Sequence, residues 1–158
     1  MAIKNKALLF LSLLVPAILL GAVYYNRENI GQDIYCTADT VEHMNNDELR
    51  INLTINMQSE TGVTQMIGRL FKKNQLIGTI SRQIHYEYVK RGYSYTFTTT
   101  RVERTKTDTV PDEVLSPHVS DIFIKPGTVL NVTVYPQRSA GWVFFLNSTP
   151  ALVCNKSF

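Results

Sequence analysis

From Leu49 to Met57 the chain alternates without a break. Leu49, Ile51, Leu53, Ile55 and Met57 fall on one side, Arg50, Asn52, Thr54 and Asn56 on the other. A period of two belongs to a β-strand with one face buried and one face wet. Such a strand cannot bury its apolar face alone, so the chain must supply neighbours. Ser59-Glu60-Thr61-Gly62 reads as a hairpin turn, Val63 to Phe71 as the return strand, and Lys72-Lys73-Asn74-Gln75 as the next turn. Leu76 to Lys90 is a long β-prone run, and its length predicts a coiled or bulged strand in a strongly curved sheet. Arg91-Gly92 turns the chain into Tyr93 to Arg101. There Tyr93, Tyr95 and Phe97 share one face, and the β-branched run Thr98-Thr99-Thr100 favours the extended backbone.

Either side of this block the signals are shorter. Ile34 to Thr37 reads as a first short strand, and Asn45-Asn46-Asp47 as a turn. The alternation fails between Arg104 and Val119. Pro111 there suits a first helical position, and Asp112 and Glu113 complement the positive end of a helix dipole. A short helix is expected, ended by Pro117, with Val114 and Leu115 as its apolar residues, plugging one end of a β structure. Strands resume at Ile122 to Ile124, Val129 to Tyr135, Trp142 to Leu146 and Ala151 to Cys154. Trp142 to Leu146 is apolar throughout, which predicts burial on both faces. The fold class is mainly β: about eight strands in sequential hairpins with one short helix, as a curved antiparallel sheet or an up-and-down barrel.

A different segment precedes the β block. Ala7 to Tyr25 carries no charge, and its 19 residues would span roughly 28 Å as a helix, close to the hydrocarbon thickness of a bilayer. Lys4 and Lys6 precede it, and Tyr24, Tyr25 and Arg27 follow. Basic residues stay cytoplasmic and tyrosines favour the headgroup interface. The expected layout is a cytoplasmic tail at 1–6, a transmembrane helix at 7–25, a linker at 26–33 and a periplasmic β domain at 34–158. A cleaved signal peptide is the alternative, but cuts after Gly21 or Ala22 would put Leu19 or Leu20 at the position that needs a small residue. Either way the β domain is exported. The six-residue tail is too short to fold, bind DNA or catalyse anything.

The 158 residues carry a net charge of only +3, spread along the chain, which gives no reason to expect a nucleic-acid partner. The two cysteines, Cys36 and Cys154, bracket the β domain, and neither has a metal-ligand neighbour in sequence. In an oxidising compartment they are expected to form one disulfide, with two buried thiols as the alternative. The loop closed would be about 120 residues, worth at most about 4 to 5 kcal/mol on the chain-entropy model.

Searching for chemistry finds little. His43, His85 and His118 lie in unrelated segments, and the chain holds no nucleophile elbow, zinc signature or phosphate-binding glycine loop. No enzymatic activity, cofactor or metal is therefore expected. Tyr86, Tyr88, Tyr93, Tyr95 and Phe97 lie on two strands joined by one turn, so pairing would cluster several of them. They form either a core layer or the wall of an apolar pocket for a small amphipathic ligand.

The short tail, the single anchor, Cys36 soon after it and the near-terminal Cys154 resemble the enterobacterial FidL-like membrane proteins. Phe123-Ile124-Lys125-Pro126-Gly127, Tyr135-Pro136, Gly141-Trp142 and Leu152-Val153-Cys154 add to the resemblance. It implies a single-pass inner-membrane accessory protein of the ToxS and VtrC type. Such a protein would sit in the lipid bilayer beside a membrane-anchored winged-helix transcription regulator, forming a heterodimer with it. In the VtrC type the pair takes up bile salts. A standalone lipocalin-like module is the other expectation.

Overall fold

The computed structural model describes residues 15–21, 33–137 and 141–156. The chain divides into two compact units, Met1–Gln32 and Asp33–Phe158. In the first, residues 15–21 are helical; the rest of the span Ala7 to Tyr25 lies outside the described residues. Among the described residues, no helix is long and apolar enough to cross a membrane.

The second unit is a closed antiparallel barrel of eight strands in chain order. They are β1 (Ile34–Met44), β2 (Asp47–Gln58), β3 (Thr61–Lys72), β4 (Gln75–Arg91), β5 (Ser94–Arg104), β6 (Val129–Gln137), β7 (Gly141–Leu146) and β8 (Thr149–Lys156). Of the two expected architectures, the barrel is the one formed. Its pairing, its core and its disulfide all lie within this one unit, which thus holds what it needs to fold by itself.

The hairpins follow from local chemistry. Ser59-Glu60, Lys73-Asn74 and Asn147-Ser148 each have two successive positive φ angles. That is the type I′ backbone, whose twist matches the right-handed twist of the flanking strands. Alternation then sets the register. Leu49 through Met57 put their odd-numbered residues inside, as the period predicted. In β4 the inward set runs Gly78, Ile80, Arg82, Ile84, Tyr86 and Tyr88. This 17-residue strand is bulged as expected, with register shifts at Leu70/Phe71 against β3 and at His85/Tyr86 against β5.

Several details depart from expectation. β1 runs on to Met44, because its whole length pairs with β2. Gly62 is not in the turn; it lies within β3, opposite Tyr86, whose ring covers the space a Cβ would need. Ile122 to Ile124 is not a strand. Asp121–Phe123 form a 3-10 turn that buries Ile122. Trp142, Phe145 and Leu146 are only half-buried, so β7 is not covered on both faces; a barrel has solvent outside it.

The long connection from β5 to β6 leaves the barrel at the same end as the β1–β2, β3–β4 and β7–β8 turns. It holds the expected helix, α1 (Asp112–Leu115), with Pro111 as its N-cap residue rather than its first helical residue. Val110, Leu115, Ile122 and Ile124 join the core, while Val114 stays exposed. The connection therefore acts as a plug. It is fastened by Arg82, an inward-facing residue of β4 whose side chain is fully buried. Arg82 donates to Asp108 Oδ2 and Asp112 Oδ1, both at 2.7 Å, and to the Val110 carbonyl at 3.0 Å. Asp108, also fully buried, accepts from Arg104 at 2.9 Å and from the Ser81 N–H at 3.1 Å.

Cys36 and Cys154 are bonded, with Cα atoms 5.5 Å apart and a separation of 118 positions in sequence. The bridge joins β1 to β8, where the barrel closes. Among the described residues, the β1–β8 register consists of Cys36 opposite Lys156 and Thr37 opposite Asn155. From Ala38 onward β1 pairs with β2 only, and up to Cys154 β8 pairs with β7 only. The seam is thus stitched at the end opposite the plug and parted toward the plug.

Candidate ligand-binding site

Between the plug and the stitched end the barrel encloses a cavity of about 490 Å³. Its walls are the inward residues of β2, including Leu49, Ile51, Leu53 and Ile55, faced by Val132 and Phe144 across the barrel. Eight strands leave an interior just wide enough either to fill with side chains or to hold one small ligand. Here the medium-sized aliphatic residues of β2, β3 and β6 leave it part empty. The volume falls in the range of small-molecule sites. Thr40, Val41 and Glu42 of β1 and Ala151 and Leu152 of β8 also line it, so the cavity reaches the parted seam.

The aromatic residues singled out in the sequence take three different places. Tyr86 and Phe97 line the cavity, with ring centroids 5.1 Å apart in an edge-to-face pair. Tyr88 and Tyr95 are buried in the core beside Phe97, at 5.9 and 6.0 Å, and do not line the cavity. Tyr93 belongs to neither group. It sits in the β4–β5 turn, 57% exposed, against Tyr135 at 4.9 Å. Gly92, with φ of 61°, reverses the chain there and ends the alternation that would have carried Tyr93 inward. The Tyr86 hydroxyl accepts a hydrogen bond from Thr64 Oγ1 at 3.2 Å. Burial pushes its phenol pKa well up, and the Thr64 bond opposes this in part.

The polar end of the cavity was not legible in the sequence. His118, from the plug, is a cavity-lining residue with a side chain only 4% exposed. Its Nδ1 lies 3.7 Å from Glu42 Oε2, and its Nε2 lies 3.6 Å from Asp47 Oδ2. Neither distance makes a hydrogen bond. His118 Nδ1 and Glu42 Oε2 are buried atoms without a hydrogen-bond partner. Glu42 comes from β1, Asp47 from the start of β2 and His118 from a loop far along the chain. No spacing could have announced the group; only the barrel's closure under its plug assembles it. Among the described residues, no three His, Cys, Asp or Glu side chains are grouped to hold a metal ion.

What this arrangement can do is bind. It offers an apolar chamber, a mouth at the strand seam and unsatisfied polar atoms at one end. Comparison with known proteins adds the lineage of the domain. No curated protein matches the chain. The family model for the YqeJ C-terminal domain matches residues 33–154, from the first strand of the barrel to the bridged Cys154 in its last, and the chain belongs to that family.

Proposed function

We propose that the barrel takes up a small amphipathic molecule and that the chain uses this as an accessory subunit of a membrane-anchored transcription regulator. The observation that carries the binding role is the apolar cavity of about 490 Å³ open to the β1–β8 seam. The supports for the accessory role are of another kind. The apolar segment Ala7 to Tyr25 with Lys4 and Lys6 before it favours a single-pass inner-membrane protein with a periplasmic barrel. The FidL-like layout favours a regulator beside it. The unpaired edges of β1 beyond Thr37 and of β8 before Asn155 offer N–H and C=O groups to a partner's strand. Two proteins held in one membrane meet at high effective concentration, so a modest contact suffices. Binding, not catalysis, is the role assigned, and DNA contact falls to the partner.

A standalone lipocalin-like module is the second reading, favoured by a barrel that closes on itself through β8 and a disulfide. Two measurements separate the readings. Ligand uptake is followed by calorimetry on wild type and on Leu53→Trp, which fills the chamber; loss of uptake in a folded variant supports the cavity. Capture of a one-helix regulator on the tagged chain from solubilised membranes, with altered transcripts when the gene is deleted, supports the accessory role. Uptake without capture or transcript change leaves the standalone module.

A further inference from the structure

The end of the cavity carries a chemical preference. Apolar cavities stay dry or hold apolar ligands, and buried polar atoms almost always find partners. Among the described residues two side-chain atoms do not: Glu42 Oε2 and His118 Nδ1, 3.7 Å apart on the cavity wall. Asp47 Oδ2 stands on the far side of the imidazole, 3.6 Å from Nε2. Two carboxylates flank one ring, so the group is net negative whether or not the ring is protonated. The cation nearest by register is Lys72, opposite Asp47 on β3, and no ion pair joins the two. The gap between Oε2 and Nδ1 is just too long for a direct hydrogen bond, and both atoms are buried, so a third atom engages both after a small rotation of the part-exposed Glu42 side chain. A hydroxyl oxygen would donate to Oε2 and either accept from Nδ1–H or share the carboxylate with it; an ammonium would donate to both when the ring is neutral.

We infer that Glu42 and His118 form the head-group subsite of the cavity and select an amphiphile whose polar end is a hydrogen-bond donor, a hydroxyl or an amine, over one ending in a carboxylate or sulfonate. The assignment rests on the ligand-binding role proposed above and names its chemistry. An anionic end brought to Glu42 and Asp47 meets like charge beside the buried His118 ring, which is unfavourable. A bile salt could therefore enter only with its acidic end turned away from this group.

The test holds the apolar body constant and changes the head. Decanol, decylamine and decanoate, each below its micellar concentration, are titrated into the Asp33–Phe158 domain. Binding is read by calorimetry and by the fluorescence of Trp142, the sole tryptophan. The expected result is that decanol and decylamine bind at least about tenfold tighter than decanoate. Glu42→Gln should narrow that ratio by raising decanoate affinity, while Leu53→Trp should abolish all three. His118→Gln should weaken decanol and decylamine and leave decanoate unchanged. Equal affinity for the three heads in wild type overturns the subsite and leaves the cavity role standing. A preference that persists unchanged in both Glu42→Gln and His118→Gln also overturns it. Failure of all three to bind a folded wild-type domain overturns the cavity role itself.

Discussion

Replacing Arg82 by Met should unfasten the plug. The guanidinium reaches Asp108, Asp112 and the Val110 carbonyl, and both it and the Asp108 carboxylate are fully buried. Removing one partner of a buried pair costs about 3 to 5 kcal/mol, because a charge is left without compensation. Asp108 would still accept from Arg104 at 2.9 Å and from Ser81 N–H at 3.1 Å, so the lower end, about 3 kcal/mol, is expected. With a urea m-value of about 1–3 kcal/mol/M, the denaturation midpoint should fall by about 1 to 3 M. Arg104→Met is the control: its side chain is 39% exposed and the loss should stay within about 1 kcal/mol. The double variant Arg82→Met with Asp108→Leu should recover most of the stability, since a buried ion pair exchanged for apolar residues is often neutral or better. Amide exchange at Val110 and Leu115 should rise more in Arg82→Met than at Leu53 or Ile55 in β2, because the damage is local to the plug. A midpoint for Arg82→Met within experimental error of wild type, with unchanged exchange at Leu115, would refute the role given to the network.

Three further outcomes are expected. Cys36→Ser with Cys154→Ser should lower stability by up to about 4 to 5 kcal/mol, given the 118-residue loop, and calorimetry of the oxidised, reduced and double-serine proteins checks it. Gly62→Ala would place a Cβ against the Tyr86 ring, forcing that ring off Thr64 at a cost of about 1–3 kcal/mol; a Tm equal to wild type would show that the ring does not lie over β3. Tyr86 should make alkaline stability fall. A free tyrosine ionises near pH ~10 and the buried one higher, so its contribution is whole below about pH 10 and is lost as pH rises through the folded value. Tm measured against pH should therefore drop more steeply above about pH 10 in wild type than in Tyr86→Phe.

Much of the barrel could be read from the chain because the information is local. The period-two run at Leu49 to Met57, the turn residues at Ser59-Glu60 and Lys73-Asn74, and Pro111 ahead of Asp112 act over a few residues. They determined the hairpin order and the short helix, and the bracketing cysteines pointed to the bridge, but Ile122 to Ile124, read as a strand, folds as a 3-10 turn. Tyr93 shows where such reasoning ends: alternation assigns it inward, yet the Gly92 turn takes it to the surface. Whether the sheet would close was beyond the period as well, since among the described residues β1 meets β8 by two register pairs and a disulfide. The chamber depends on side-chain volumes summed across many strands, and no single strand encodes an empty space. Glu42, Asp47 and His118 are brought together only when β1, β2 and the plug converge at one barrel end, so the polar half of the candidate site exists only in the tertiary structure.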